Sequence, residues 1–333
     1  MQVKAKVSVI IAVYNAADYI ERCIRSLMEQ TLQDMEFIII DDGSTDCSIA
    51  KACSVISKYP HRTSQTKILR HHTNLGLAST RQQGIDNARG EYIIHCDPDD
   101  WVDPTYYEDL YNTAISENAD IAAGDYIEEH PGLSIAYHLP TPPDWNRFYT
   151  YPEWIFMSLC FHMIRRSLLT DNTLNFYPNI NYAEDNGLIF RCYYYSRHNS
   201  HNSLKSYYHY NKQNPGSQTT NRIQADKLID KAKCYVNLSH FATSHGKIPG
   251  DNVTLHQEKR AIKEGFLMCN PPLYKLWYSY FREVTPTVIK DTNLSWSYRL
   301  CWILGQYVHP AFIKAYMELH SKKRKLDKHI YTQ

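Results

Sequence analysis

Residues 7–13 read Val-Ser-Val-Ile-Ile-Ala-Val, an apolar, β-branched-rich run whose only polar member is Ser8. A half-exposed strand would alternate apolar and polar positions. This run does not, so it reads as a strand buried on both faces, as a parallel sheet covered by helices requires. The segments that follow repeat the theme. Ile20, Cys23, Ile24 and Leu27 recur at helical spacing across residues 16–30, and Asn15 stands where an N-cap would. Phe37–Ile40, Lys67–Arg70, Tyr92–Cys96 and Asp120–Ile127 read as further strands. Helices are expected from Thr45-Asp46 to Lys58, over Leu77–Ala88, and over Pro104–Asn118, with Pro104 in the first turn. Strands alternating with helices of this length predict an α/β fold with a doubly wound, mostly parallel sheet.

The rest of the chain reads differently. Pro131, Gly132, Pro140, Pro142 and Pro143 punctuate residues 130–150, which suggests a surface connection or lid. Helices are expected over Arg166–Asn172 and Ala183–Ser196, and a strand over Ser203–Tyr210. From Arg222 onward the sequence is helical, amphipathic and rich in Trp and Tyr, ending in the basic run Lys322, Lys323, Arg324, Lys325 and Lys328. The expected organisation is a first domain over 1–220, with halves at 1–128 and 150–220, and a helical C-terminal extension over 221–333.

Composition sets limits on function. With 333 residues, 43% hydrophobic and 21% charged, the chain has a globular rather than a disordered composition. Its 36 Lys+Arg against 35 Asp+Glu leave a formal charge of +1, so no global field draws it to nucleic acid, and no nucleic-acid partner is expected. Nine cysteines without a C-x-x-C pair fit a reduced, cytoplasmic protein better than a disulfide framework or zinc cluster. No apolar run approaches the roughly 18 residues of a membrane span, and the first residues lack a signal-peptide layout. The 27 Tyr residues supply amphipathic rings suited to polar, flat-faced ligands.

Ligands of open α/β sheets bind outside the carboxyl ends of the strands. Three of the first four strands end there in polar residues: Tyr14-Asn15, Asp41-Asp42 and Asp97-Pro98-Asp99-Asp100. Parallel strands would open all three onto one edge. Three carboxylates within four residues repel one another, and a hard divalent cation with oxygen preference relieves that repulsion. No G-x-G-x-x-G follows the first strand and no G-x-x-x-x-G-K-[ST] occurs, so a cation is the expected device for diphosphate charge.

The stretches Val7 to Asn15, Phe37 to Asp46, Asn74 to Arg81, Gly90 to Asp100, and the pair Glu184-Asp185, in that order and spacing, resemble the family 2 glycosyltransferases. These are inverting, metal-dependent enzymes with the GT-A fold, and the resemblance covers about residues 5–220. It implies roles by position. Tyr14 would stack on the nucleotide base beside Ala12, and Asp41 would accept a hydrogen bond from the base N–H. Asp97 would face the ribose and also stand beside the metal, and Asp99 would ligate that metal, Mn2+ or Mg2+, with Asp100 in support. Arg81 would orient these acids or approach phosphate. Asp185 would be the general base, with Glu184 as second candidate. The family often has Asn after this arginine, where this chain has Gln82.

The resemblance further implies a nucleotide-sugar donor, in all expectation a UDP-sugar, and a glycan or lipid-linked acceptor. His162 and His209 are weaker candidates for a metal or diphosphate contact, and Tyr207, Tyr208 and Tyr210 for an acceptor sugar. The aromatic segment Trp296 to Met317 and the basic run after it could lie against the inner face of a membrane. Two alternatives stand beside this reading. A nucleotidyltransferase would need a basic, glycine-rich triphosphate loop, and a non-catalytic nucleotide-sugar-binding module would not need Asp99 and Asp185.

Overall fold

The computed structural model describes residues 5–139, 157–202, 206–217, 224–245 and 253–330. The chain divides into two compact units, 1–220 and 221–333. Most of the expected 130–150 connection, including Pro140, Pro142 and Pro143, lies outside the described residues.

The first unit is built on a seven-stranded sheet. Its strands are β1 (Val7–Val13), β2 (Met35–Asp41), β3 (Thr66–Arg70), β4 (Tyr92–His95), β6 (Ile121–Gly124), β9 (His162–Arg165) and β10 (Asn199–Asn202), in the order β10-β6-β9-β4-β1-β2-β3. β1 runs parallel to both β2 and β4, with Val13 opposite Asp41 and Ile10 opposite His95. β9 alone is antiparallel, wedged between β4 and β6. The expected mostly parallel, GT-A type α/β sheet is therefore present. Every residue of β1 is buried, as its unbroken apolar run requires. The helix Leu77–Asn87 packs close on β1, because a Cβ at Gly84 would stand 2.3 Å from Ile10 Cγ2.

A second sheet of four strands, β5 (Trp101–Val102), β7 (Tyr126–His130), β8 (Leu133–Tyr137) and β11 (Tyr208–Asn211), is ordered β5-β11-β7-β8. It corrects two expectations. The single strand predicted over Asp120–Ile127 is two strands, β6 and β7, which belong to different sheets. The chain changes sheet at Asp125, whose carboxylate takes hydrogen bonds from Leu139 N–H and His201. Pro131-Gly132 is the tight turn of the β7–β8 hairpin rather than the start of a loose connection.

Asn15 is not a helix cap. The first helix begins only at Ile20, because Ala16 and Ala17 donate their N–H groups to Ser48 Oγ and Asp46 Oδ2 at the start of the helix Ser48–Ile56. Asn15 itself adopts a left-handed φ of 49°, and its Oδ1 accepts from Thr45 N–H.

The second unit is helical in its described parts, with long helices at Ala225–Ser244, Val253–Met268, Trp296–Tyr307 and Ala311–Ile330. Trp277 and Trp302 are both fully buried, with ring centroids 5.8 Å apart. All nine cysteines are free thiols. Among the described residues no helix is long and apolar enough to cross a membrane.

Candidate active site

Because β2, β1 and β4 are parallel neighbours, the three polar strand endings open onto one edge. Tyr14 follows β1 and is 50% exposed, while Ala12 is buried in the strand. Asp41 closes β2. Its Oδ1 accepts from Ser44 N–H at 2.9 Å, which shapes the turn, and Arg70 Nε stands 3.9 Å from its Oδ2. Asp42 next to it is an organiser that sequence reasoning passed over. It accepts from Leu75 N–H and Gly76 N–H at 2.8 and 3.0 Å and faces His71 Nδ1 at 2.8 Å. The segment leading into the Leu77–Asn87 helix is thereby tied to β2.

Gly76 permits this loop twice over. Its φ is +90°, and a Cβ there would lie 2.5 Å from Asn181 Oδ1, the atom that accepts from Ala78 N–H.

The acids after β4 part company. Asp100 turns inward and is buried, accepting from Tyr208 O–H at 2.6 Å and Asn211 N–H at 2.7 Å. Burial, followed by the charges of Asp99 and Asp97, raises its carboxyl well above the usual range. Asp99 accepts from Asn214 Nδ2 at 2.8 Å, and burial followed by the Asp97 charge raises it also. Asp97 is half-buried, its side chain 34% exposed. Asp100, the acid expected in support of Asp97 and Asp99, is thus engaged by donors of the protein itself. It ties the small sheet to this corner through Tyr208 and Asn211. Two carboxylates fit Mg2+ or Mn2+ completed by substrate phosphates and water, the usual manner in which these ions are held.

Arg81 joins the corner to a distant part of the chain. Its guanidinium is buried and donates from Nη2 to Asp97 Oδ1 at 2.7 Å and from Nη1 to Glu184 Oε1 at 2.6 Å. Burial works to lower the Arg81 pKa, but Asp97 and Glu184 carry it well above its ordinary value. Glu184 and Asp185 open the helix Glu184–Tyr195, preceded by Ala183 in a left-handed turn at φ 62°. Asp185 Oδ1 accepts from Asn186 N–H at 2.9 Å. Two carboxylates, those of Asp97 and Glu184, pair with one guanidinium, and the charge of Asp185 acts on it as well, so negative charge is in surplus. Burial raises the Glu184 carboxyl, with the Asp185 charge adding and Arg81 opposing. Burial pushes Asp185 up to about 6 against the pull of Arg81. A carboxylate so raised is a better proton acceptor than an ordinary one.

The weaker candidates separate. His209 has both ring nitrogens engaged, with Glu129 Oε1 at 2.8 Å and Asp103 Oδ1 at 3.0 Å, and its face lies flat on Trp101. It braces the small sheet and is not available as a ligand. His162 is buried in β9 with Nδ1 on Ser158 O, and burial pushes it down to about 4, so it is neutral. Tyr208 holds Asp100 rather than offering a ring face. Gln82 bridges Asp86, Asn175 and Phe176 N–H, a structural role. The side chains of the basic run at 322–328 lie outside the described residues.

Comparison with known proteins agrees with this architecture. Residues 8–172 match the model of Glycosyl transferase family 2. The chain is 42% identical over 123 residues to a cholesterol galactosyltransferase of Borreliella burgdorferi, a match covering 37% of this chain and 33% of that relative. It spans between 19% and 56% of the length of three curated glycosyltransferase relatives. Among solved structures, S. aureus TarS 1–349 in complex with UDP-GlcNAc shares the fold at TM-score 0.66 and 18% identity, over 96% of this chain and 92% of that one. The mannosyltransferase PcManGT of Pyrobaculum calidifontis, in complex with GDP-Man and Mn2+, superposes at TM-score 0.55 and 15% identity, over 94% and 86% of the two chains. Through residues 8–172 this chain belongs to glycosyl transferase family 2.

Proposed function

We propose that this chain is an inverting, metal-assisted glycosyltransferase that moves a sugar from a nucleotide-sugar donor, a UDP-sugar, to a hydroxyl of a glycan or lipid-linked acceptor. One observation carries the reading. A single buried guanidinium, Arg81, bridges Asp97 at the donor corner and Glu184 beside Asp185, residues more than eighty positions apart in sequence.

In this reading Tyr14 stacks on the base beside Ala12, and Asp41 accepts from the base N–H. Asp97 and Asp99 hold Mn2+ or Mg2+, and Asp97 also faces the ribose. When bound, the cation offsets the charge that grows on the departing nucleoside diphosphate. Asp185 takes the acceptor hydroxyl proton as that oxygen attacks the anomeric carbon and the bond to the diphosphate breaks. Attack from the face opposite the leaving group inverts the centre in one step, so no sugar–enzyme intermediate forms. Glu184 stays paired with Arg81 and keeps Asp185 beside a fixed positive charge.

The second unit is the proposed membrane-facing part, working at the cytoplasmic side. Trp296 is 70% exposed and Tyr307 78%, and Val308, Phe312 and Leu319 are exposed as well. Aromatic rings with a basic run beyond them suit an anionic lipid surface. Deleting residues 320–333 is expected to weaken co-sedimentation with anionic liposomes, and equal sedimentation of both forms removes the membrane part of the proposal.

The central test is a binding screen of UDP-, GDP- and other nucleotide sugars with and without Mn2+. The expected outcome is a UDP-sugar whose affinity rises with the cation in the wild type and not in Asp99→Ala. A donor bound equally well by both proteins, whatever the cation, overturns the metal assignment.

A further inference from the structure

Apart from the donor corner, three potential ligating groups meet where the two sheets of the first unit join. Asp125 lies at the crossing from β6 to β7, His138 directly follows β8, and His201 sits on β10. His201 Nε2 is 2.8 Å from Asp125 Oδ1, and His138 Nδ1 is 3.2 Å from both Asp125 oxygens. One ligating atom from each residue lies within 4.8 Å of the others, the only such group of three among the described residues. The two imidazoles stand edge-on, with centroids 4.3 Å apart. Ligands at about 2.0–2.1 Å from a tetrahedral cation are roughly 3.3 Å apart, so little movement separates this arrangement from a coordination shell.

We propose that Asp125, His138 and His201 form a second divalent-metal site, of Zn2+ type, that staples the two sheets together. Two imidazoles and one carboxylate are borderline-soft donors that select Zn2+ over Mg2+, in contrast to the all-oxygen donor corner. Asp125 is buried, and among the described residues no Lys or Arg meets it. Its carboxylate is held by Leu139 N–H and faces both imidazoles. The Leu139 N–H bond to Oδ1, at 3.0 Å, fixes the carboxylate from behind, the kind of supporting contact that orients a ligand. His138 is 62% exposed on its side chain, which leaves an approach for the ion and a fourth position for water. Binding replaces the two imidazole–carboxylate contacts with bonds to the metal and ties β6, β8 and β10 through one centre.

The test uses the full chain, stripped with a chelator and held in excess Mg2+ to occupy the oxygen-rich corner. Zn2+ is titrated against a chromogenic competitor, and melting is followed with and without it. The wild type is expected to bind one Zn2+ and to melt several degrees higher with the metal. His138→Ala and His201→Ala are each expected to lose roughly tenfold or more in affinity and to lose the Zn2+-dependent shift. His138 is exposed, so its alanine variant folds even if Asp125→Asn does not. A wild-type melting point indifferent to Zn2+, or an affinity unchanged in His138→Ala, overturns the site and leaves only a hydrogen-bonded cluster.

Discussion

Strands β1 to β4 and strands β5 to β11 share one folding unit but are held together by different means. Each of the first four is separated from the next by helix and lies parallel to β1 or β2. In the other group, β11 pairs antiparallel with β5 and parallel with β7, and β9 enters antiparallel between β4 and β6. The first group supplies the donor corner, and the second supplies the residues that hold that corner in place. Tyr208 of β11 grips Asp100, and Asn214 beyond β11 holds Asp99. The proposed donor corner sits on the parallel strands, while the other group braces it and carries the proposed base, Asp185, on the helix Glu184–Tyr195 between β9 and β10.

Arg81 is where the two halves depend on each other most. Arg81→Met would leave Glu184 buried without its partner, and breaking a buried pair from one side costs about 3–5 kcal/mol. Urea unfolding should register that loss, and donor binding should disappear with it. If Arg81→Met keeps both, the acids do not depend on a shared guanidinium and the comparison fails.

Asp185→Asn tests the division of labour within the site. The amide keeps the shape and removes the proton acceptor, so donor affinity should hold within about twofold while kcat falls by roughly 10²–10⁴. The wild-type pH profile gives the same residue a second check. A general base works deprotonated, so with Asp185 pushed up to about 6, kcat should fall about tenfold per pH unit below 6 and level off above it. An ordinary aspartate near 3.9 would keep the profile flat to pH 5. A flat profile therefore removes Asp185 as base or removes the effect of its burial.

A smaller effect is expected from the supporting half. Tyr208→Phe deletes the hydroxyl that donates to Asp100 and accepts from Asp97 N–H at 3.1 Å. Leaving a buried carboxyl short of a donor costs about 1–3 kcal/mol. Cation-enhanced donor binding should weaken, with no change in the pH profile, because Asp185 is untouched.

How much could be read beforehand follows the same line. The buried run at Val7–Val13 and the strand endings at Asp41 and Asp97 are local signals, and they pointed to the parallel sheet and to one shared edge. Strand β9 and the sheet change at Asp125 were missed, since each is decided by a partner distant in sequence, whereas the β7–β8 hairpin was missed because Pro131-Gly132 read as the start of a loose connection. His162–Arg165 is only four residues long and has no pattern of its own. Asp100 read as an acid in support of the metal ligands, and nothing near it in sequence announces Tyr208 or Asn211 as its partners. Asp42 was passed over for the opposite reason. It stands beside Asp41, and only the folded loop shows which of two adjacent carboxylates turns toward Leu75 and Gly76.

Two glycines with nearly the same backbone give the mildest version of the contrast. Gly43 follows β2 at φ +74°, and Gly132 makes the β7–β8 turn at φ +73°. Alanine at either position carries the left-handed penalty, about 1–2 kcal/mol. At Gly132 a Cβ meets nothing within 4 Å, so Gly132→Ala should lose only that amount. At Gly43 the Cβ would stand 2.8 Å from the Thr73 carbonyl carbon and 2.9 Å from Asn74 N, backbone that leads to the loop held by Asp42. Gly43→Ala should therefore cost measurably more than Gly132→Ala in parallel denaturation curves, and it alone should weaken donor binding. Equal losses would mean that the donor-edge loop yields as freely as a hairpin tip, and that the edge owes less to close packing than the distances there imply.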